Sequence, residues 1–285
     1  MYKLTLQNKN KNELKFNQLG GPLTIKSIQG LSPADATINT SDSALIDGSR
    51  YNSSKVNMRT INLAFAIEYD AERNRLNVYK VLQTSKEITM YYKSDLLDVF
   101  IEGWVRSVSI DHFSKKQVVT VTIICPFPFF KAAQETINEL SSLISTFHFP
   151  FASTAEPEIL FGYIDPTTTE IVDNHGAVET GLTFELYAKS GIENPKIYNY
   201  TTGDFIGINY TMQAGDVITI STGRGEKSVT LLREGVETNL FNYLMEGITW
   251  LQLEIGGSAF VYEINSGLIS DFLVTIKHRD LFEGV

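Results

Sequence analysis

The sequence predicts a mainly β protein built from two domains. Thirteen Tyr and 17 Phe accompany many Val, Ile and Thr residues, which suit the pleated surface of a sheet. Several stretches alternate apolar and polar residues with a period of two, as half-buried strands do. Turn signals such as those at residues 202–204 and 214–216 separate these stretches at short intervals. That spacing is typical of antiparallel sandwiches and barrels.

The division into two domains is predicted from length and charge. A chain of 285 residues fits one large domain or two of ordinary size. Residues 1–130 contain 16 Lys and Arg against 12 Asp and Glu, whereas residues 131–285 contain 8 against 21. The net charge therefore changes from +4 to −13 near the middle of the chain. The acidic half disfavours nucleic acid as its ligand, because phosphates would be repelled.

The clearest strands lie in the second half. Residues 181–189, 249–255 and 272–276 each place alternate apolar side chains on one face. We expect the following residues to face a core: Leu182, Phe184, Leu186, Ala188, Leu251, Leu253, Ile255, Phe272, Val274 and Ile276.

Two segments depart from this alternation and are predicted to be helices. Residues 71–83 bring Leu76, Tyr79 and Leu82 to one face, and Asp70 is placed to cap the first turn. Residues 132–146 repeat apolar side chains at helical spacing, namely Ala133, Ile137, Leu140 and Ile144.

The domain boundary is predicted after the segment Cys-Pro-Phe-Pro-Phe at 125–129. Pro126 and Pro128 cannot donate to a β-ladder and stop the preceding strand. The charge changes sign at the same place. We therefore predict a first domain at 1–130, a linker with a short helix at 131–153, and a second domain at 154–285.

The residues that could carry catalysis or bind metal form no strong pattern. Cys125 ends an apolar run and is predicted to be a buried thiol, and a single cysteine excludes an intramolecular disulfide or a zinc site of several thiolates. Asp173 and His175 are better explained by a turn than by a metal site. Glu156 and Glu158 could be paired carboxylates for glycoside hydrolysis, but acidic residues are frequent in this half, and an acidic loop explains the pair better.

Aromatic residues leave one binding hypothesis open. Tyr198 and Tyr200 would share a strand face and could stack on sugar rings, although aromatic pairs also stabilise sheets without any ligand. No active site and no cofactor site emerges, so we expect a binding or structural protein and not an enzyme.

The order of short motifs along the chain resembles the distal tail protein family of siphophages, a family of tail components. The Cys-Pro-Phe-Pro-Phe segment resembles the close of the family's first domain, and 147–150 resembles its linker motif. The motifs that carry the resemblance lie at 25–31, 36–40, 47–51, 59–61, 71–83, 101–105, 125–129, 147–150, 174–176, 193–197, 201–203, 215–220 and 278–285.

The motif positions have structural explanations and carry over no catalytic residue. Asp47 and Gly48 predict a hairpin turn with a positive φ at the glycine. Gly103 within a strand predicts a bulge or a close backbone approach. The structural motif positions are Gly30, Asp47, Gly48, Arg59, Gly103, Pro126 and Pro128.

The resemblance implies a structural protein at the distal end of a phage tail. The first domain would be a β-sandwich-like ring domain with one α-helix and a β-hairpin, and the second a galectin-like antiparallel β-sandwich. Six copies would form a ring that joins the tail tube protein to a tail-tip hub or tail-associated lysin protein. DNA would cross the ring only as transit cargo, and no membrane insertion is expected. Assembly would take place in the cytoplasm of the host bacterium.

Two other functions are weighed against this one. A carbohydrate-binding module would use the second domain, with Tyr198 and Tyr200, to hold cell-wall saccharide. A small glycosidase would use Glu156 as a catalytic carboxylate, and it is the least favoured.

Overall fold

A computed structural model describes residues 2–16, 21–42, 47–114, 116–140, 142–145, 162–165 and 169–285. The chain forms two compact units. The first unit comprises Met1–Gln134 together with Leu281–Val285, and the second comprises Glu135–Asp280. The mainly β fold predicted from the sequence is confirmed. Among the described residues, no helix is both long and apolar enough to cross a membrane.

Before the chain passes to the second unit, the described residues of the first unit form ten strands and one α-helix. They are β1 Lys3–Asn8, β2 Glu13–Phe16, β3 Leu23–Gln29, β4 Ala36–Asp42, β5 Ser49–Val56, β6 Arg59–Ile67, α1 Ala71–Val81, β7 Glu87–Lys93, β8 Asp98–Ile110, β9 Val118–Cys125 and β10 Phe130–Ala132.

The second unit follows with β11 to β25, and the chain then re-enters the first unit as a last short strand. These strands are β11 Thr136–Glu139, β12 Ser142–Ser145, β13 Gly162–Asp165, β14 Thr169–Asn174, β15 Thr180–Ala188, β16 Ile192–Glu193, β17 Lys196–Asn199, β18 Phe205–Gly207, β19 Thr211–Met212, β20 Val217–Ser221, β21 Ser228–Arg233, β22 Val236–Asn239, β23 Gln252–Leu253, β24 Gly256–Glu263, β25 Phe272–His278 and β26 Leu281–Phe282.

The core of the first unit lies on one antiparallel sheet, ordered β2-β1-β7-β8-β9-β6-β3. Alternate side chains of its strands point into an apolar cluster, in which Phe16 and Phe65 meet edge to face at 4.9 Å. Strand β10 pairs with both β8 and β26, so the segment that returns from the second unit is hydrogen-bonded into this unit.

Helix α1 confirms the helix predicted at 71–83, but Leu82 is the one residue of the predicted apolar face that is buried. Val78, Val81 and Leu82 are buried against the sheet, whereas Leu76 is 60% exposed. Two apolar stripes run along this segment, and periodicity alone does not distinguish them. The predicted cap is also wrong, because Asp70 has φ +47° and its side chain makes no capping hydrogen bond. The side-chain amide of Asn74 instead donates to the carbonyl of Tyr69 at 2.7 Å.

Strands β4 and β5 form a separate two-stranded hairpin, which we call the arm (residues 36–56). Almost every described residue of its two strands is exposed on both faces. Polar side chains bond across it, for example Asn39 to Ser53 at 3.0 Å. Gly48, beside Asp47, has φ +88°, the conformation expected of a turn glycine.

The second unit is a sandwich of two sheets. One sheet is ordered β11-β25-β15-β20-β21-β22 and the other β14-β24-β17-β18. Phe184 of the first sheet meets Phe260 of the second edge to face at 6.0 Å. The core faces predicted for 181–189 and 272–276 are confirmed. The prediction for Ile255 is wrong, because strand β23 ends at Leu253 and the chain bends, leaving Ile255 exposed.

The helix predicted within 132–146 is wrong for the described residues of that range. They form β10, β11 and β12, and β11 pairs with β25 from Thr136 opposite His278 to Glu139 opposite Thr275. Ile137 is exposed and Leu140 is buried, so the apolar spacing does not mark one buried stripe. Pairing with a strand far along the sequence outweighs local helical spacing here. Glu156, Glu158 and the motif at 147–150 lie outside the described residues.

Candidate assembly surfaces and their scaffold

A buried arginine organises the first unit. Arg59, the first residue of β6, is 2% exposed and donates only to backbone carbonyls. Its Nε donates to Pro128 at 2.7 Å, and its Nη1 donates to Gly30 and Ser32, both at 2.5 Å. Its Nη2 donates to the carbonyl of Glu283. The guanidinium presents five N–H donors in a fixed fork, which suits several acceptors at once.

These bonds join three segments that are distant in sequence. Gly30 and Ser32 follow β3, Pro128 lies in the turn before β10, and Glu283 follows β26. The guanidinium also lies over the Phe130 ring, with its carbon 4.7 Å from the ring centroid. Burial lowers the pKa of Arg59, as expected for a cation withdrawn from water.

Two glycines of the first unit stand where a side chain would not fit. Gly30 has φ +89°, and a Cβ there would lie 2.2 Å from the backbone oxygen of Thr60. A Cβ at Gly103 would lie 2.7 Å from Ile123 and 2.8 Å from the Cys125 sulfur. Gly103 therefore lies at a close approach of β8 to β9.

Cys125 is buried and free, as predicted. Burial raises the pKa of its thiol to about 12, so the thiol stays protonated near neutral pH. Pro126 follows at the end of β9, and Pro128 supplies one of the carbonyls that Arg59 binds. These positions support the fold and provide no nucleophile.

The arm is the clearest candidate assembly surface of the first unit. Tyr51 is 60% exposed on it, and Ile38 and the nearby Met58 are exposed to a similar degree. A two-stranded hairpin with no core face is at most marginally stable in water. Strand β2 also ends the ordered sheet of this unit, and the edge of a sheet invites pairing with another chain.

The two predicted sugar-stacking tyrosines differ in their surroundings. The Tyr198 ring lies 5.6 Å from that of Phe205, and its hydroxyl donates to Glu263 at 3.0 Å. Burial is the main cause that raises the pKa of the Tyr198 phenol. Tyr200, just beyond β17, is 77% exposed. Sugar stacking at these positions stays a prediction.

A further aromatic pair was not found from the sequence. Phe241 and Trp250 stack with centroids 5.6 Å apart, and the ammonium of Lys227 lies 5.1 Å from the Trp250 centroid. The three residues come from different segments without a shared period, so no sequence pattern brings them together.

The turn predicted at 173–176 begins later than expected, because Asp173 and Asn174 are the last residues of β14 and the chain bends at Gly176. Asn174 is buried, its side-chain oxygen accepts the N–H of Gly176 at 2.9 Å, and its amide donates to Val178 and Leu253. Within the part of the chain that the structure describes, no group of three or more His, Cys, Asp or Glu is placed to hold a metal ion.

Two family models match the chain in the two units. Residues 9–125 match the phage tail protein RIFT-related domain, and residues 175–280 match the C-terminal domain of siphovirus-type tail components. A comparison with curated protein sequences found no match.

The fold is similar to solved phage structures. The crystal structure of the Dit (gp 19.1) protein of phage SPP1, described as a hub of the adsorption apparatus in phages that infect Gram-positive bacteria, has a TM-score of 0.70 at 12% identity. That match covers 98% of this chain and 99% of the other. Chains of the phage P2 baseplate in its activated conformation with Ca and with Sr have TM-scores of 0.52 and 0.53, each at 12% identity. These two matches cover 100% of this chain and 99% and 100% of the other chains, respectively.

The two family matches follow the order of the units, and the SPP1 Dit chain shares the fold over nearly its whole length. The chain belongs to the siphophage distal tail (Dit) proteins, which are structural components of the phage tail and baseplate and not enzymes.

Proposed function

We propose that six copies of this chain close into a ring through the first unit. The ring joins the tail tube protein to the tail-tip hub or tail-associated lysin protein at the distal end of the tail, and DNA passes through its lumen. The copies assemble in the cytoplasm of the host bacterium. The number six follows from the family resemblance, and the observation that carries the proposal is the exposed arm.

The arm supports a ring because a cyclic assembly needs two different surfaces on each copy. The arm is one such surface: it is hydrogen-bonded along its own length but buries almost nothing. The acceptor surface on the next copy is the β2 edge of its first unit, where the backbone of another strand can pair. Each copy then donates an arm and receives one, which leaves no arm uncovered in a closed ring.

The proposal is tested by measuring mass with light scattering and imaging the full chain by electron microscopy. Ile38→Glu and Tyr51→Glu place a charge on the arm without touching either core, so both should abolish rings while each unit stays folded. Ile171→Glu, which changes an equally exposed apolar residue of the second unit, is the matched control and should leave rings intact. A strict monomer at all concentrations, even beside tail partners, would overturn the proposal.

The assignment of the ring to the first unit has its own test. A chain in which a flexible linker replaces residues 135–280 keeps the first unit complete, including 281–285. We expect it to form rings, and we expect the second unit alone to stay monomeric. Rings made by the second unit alone would reverse the assignment.

A second candidate function is carbohydrate binding by the second unit. It is favoured by Tyr200, whose ring is largely exposed just beyond β17, two residues after Tyr198. Binding of the second unit to host cell-wall saccharide should weaken in Tyr200→Ala and stay unchanged in the control Tyr243→Ala. Equal binding by both variants would place the saccharide elsewhere.

A further inference from the structure

The first unit contains a polar cleft that plays no part in the proposed ring mechanism. Its volume is about 510 Å³, within the range of small-molecule sites. It is formed by the loop after β1, the segment between α1 and β7, and one residue of β8. Its lining residues are Asn8, Lys9, Asn10, Val81, Gln83, Ser85, Lys86, Glu87 and Trp104.

Trp104 provides the one large aromatic surface of this cleft. It follows Gly103 in β8, so strand alternation turns it away from the core while Gly103 lies against β9. It is 44% exposed and lies directly opposite Glu87 in the pairing of β7 with β8. An exposed indole offers an apolar face and a single N–H donor, a combination suited to a partly hydrated ligand.

The walls of the cleft are held rigidly. The Asn8 side chain accepts backbone N–H bonds from Asn10 and Asn12 at 3.1 and 3.0 Å, and it donates to the carbonyl of Lys80 at 3.2 Å. Asn8 therefore fixes the loop after β1 against the end of α1. On the other wall, Ser85 has φ +64° and is held by its N–H bond to Val105 at 2.8 Å.

Other polar groups of the cleft are not used by the fold. Asn10, Gln83 and Lys86 are exposed, and within the described residues their side chains make no hydrogen bond or ion pair. Lys9, by contrast, pairs with Glu87 at 2.7 Å. Because the charges of Lys9 and Glu87 cancel, Lys86 gives the cleft a net charge of +1.

We propose that this cleft binds one ring of a saccharide that carries an acidic substituent. The C–H face of the sugar stacks on Trp104, and its hydroxyl groups bond to the amides of Asn10 and Gln83. A carboxylate or phosphate on the sugar meets Lys86, where a charge-assisted bond adds selectivity. This saccharide site does not depend on the assembly of six copies into a ring. It lies in the first unit, away from Tyr198 and Tyr200.

The test uses the full chain with Trp250→Phe, which leaves Trp104 as the only tryptophan, because the sequence has two. Its fluorescence is titrated with glucose 6-phosphate, glucose and inorganic phosphate, and calorimetry repeats each titration on the unaltered chain. We expect glucose 6-phosphate to bind with a Kd on the order of 1 mM, and glucose and phosphate each about tenfold more weakly.

Variants separate the contributions of the lining. Lys86→Ala should weaken the binding of glucose 6-phosphate about tenfold, to the affinity of glucose. Gln83→Ala and Asn10→Ala should weaken the binding of both sugars about threefold. Lys3→Ala, an exposed lysine outside the cleft, is the matched control. Trp104→Ala, followed by calorimetry, should abolish sugar binding. Because the side chains of Gln83 and Asn10 make no hydrogen bond to the described residues, their variants keep the test valid even if Trp104→Ala fails to fold.

Three results would overturn the inference. If neither sugar binds, the cleft is not a saccharide site. Equal affinity for phosphate and glucose 6-phosphate would show an anion site without sugar recognition. Equal affinity for the two sugars, unchanged in Lys86→Ala, would show that no acidic substituent is recognised. Ring formation is measured on the same samples, so a failure of ring assembly is seen separately.

Discussion

Replacing Arg59 with alanine should destabilise the first unit severely. The change leaves four carbonyl groups without their donor: those of Gly30, Ser32, Pro128 and Glu283. A hydrogen bond to a charged group contributes about 1.5–3 kcal/mol, and a carbonyl left buried without a partner costs about 1–3 kcal/mol. These terms do not add fully, because water enters and the loops relax.

We therefore expect a loss of about 4 kcal/mol in the free energy of unfolding, the range seen when one partner of a buried charged network is removed. The first unit has 134 residues plus the five of 281–285. For a unit of that size, about 4 kcal/mol lowers the Tm by roughly 14 °C. Arg59→Lys should recover less than half of the loss, because one ammonium cannot reach acceptors on all three segments.

The assay is urea unfolding of the full chain with Trp250→Phe, followed by fluorescence of Trp104, which reports on the first unit. Arg50→Ala is the matched control, since Arg50 lies exposed on the arm and should change stability by less than about 0.5 kcal/mol. A loss below about 1 kcal/mol for Arg59→Ala, or a loss equal to that of the control, would refute the reasoning.

Three further predictions concern single positions. Gly30→Ala forces a Cβ against Thr60 at positive φ and should lower stability by about 2 kcal/mol or more in urea unfolding; an unchanged midpoint would contradict this. Cys125, with its pKa raised to about 12, should not react with a thiol reagent at pH 8 until the protein is unfolded, and rapid labelling of the native chain would refute its burial. Asp216 accepts bonds from Arg233 at 2.7 and 2.5 Å, which lowers the pKa of its carboxyl group. This contribution is present above the unfolded pKa of about 3.9 and is lost as the pH falls through the lower folded pKa. Asp216→Asn should therefore destabilise the protein by about 2 kcal/mol at pH 7, the size of a hydrogen bond to a charged group. The difference in urea midpoint from the unaltered chain should shrink as the pH is lowered, and a difference that does not change with pH would contradict this.

Strands with a strict alternation were predictable from the sequence. Leu182, Phe184 and Leu186 alternate with polar residues over a full strand, and only one face of β15 can then be buried. The same rule failed at Ile255, because burial also needs the strand to continue past Leu253. Alternation therefore predicts which face of a strand is buried, but not the residue at which the strand ends.

Helical spacing was a weaker guide. It located α1 correctly but favoured Leu76 over Val78, since both lie on apolar stripes of the same helix. It also predicted a helix where β11 pairs with β25. The partner of β11 lies more than a hundred residues away, and no local pattern records that pairing.

The residues that organise the scaffold and the cleft were the least predictable. Arg59 was noted only as a motif position, and its four acceptors come from three distant segments. The sequence around Trp104 did not indicate a cleft either, because the other lining residues come from loops that the fold brings together. Such sites depend on tertiary contacts, for which one sequence offers no period or spacing.

The return of residues 281–285 to the first unit makes the second unit an insertion within the first. Any folded module whose two ends can meet the junctions at 134 and 281 could replace it without altering the β10–β26 pairing. A polypeptide interrupted anywhere before residue 281 lacks the carbonyl of Glu283 that Arg59 binds, and its first unit stays incomplete. Incomplete translation products would therefore have a less stable first unit than the full chain.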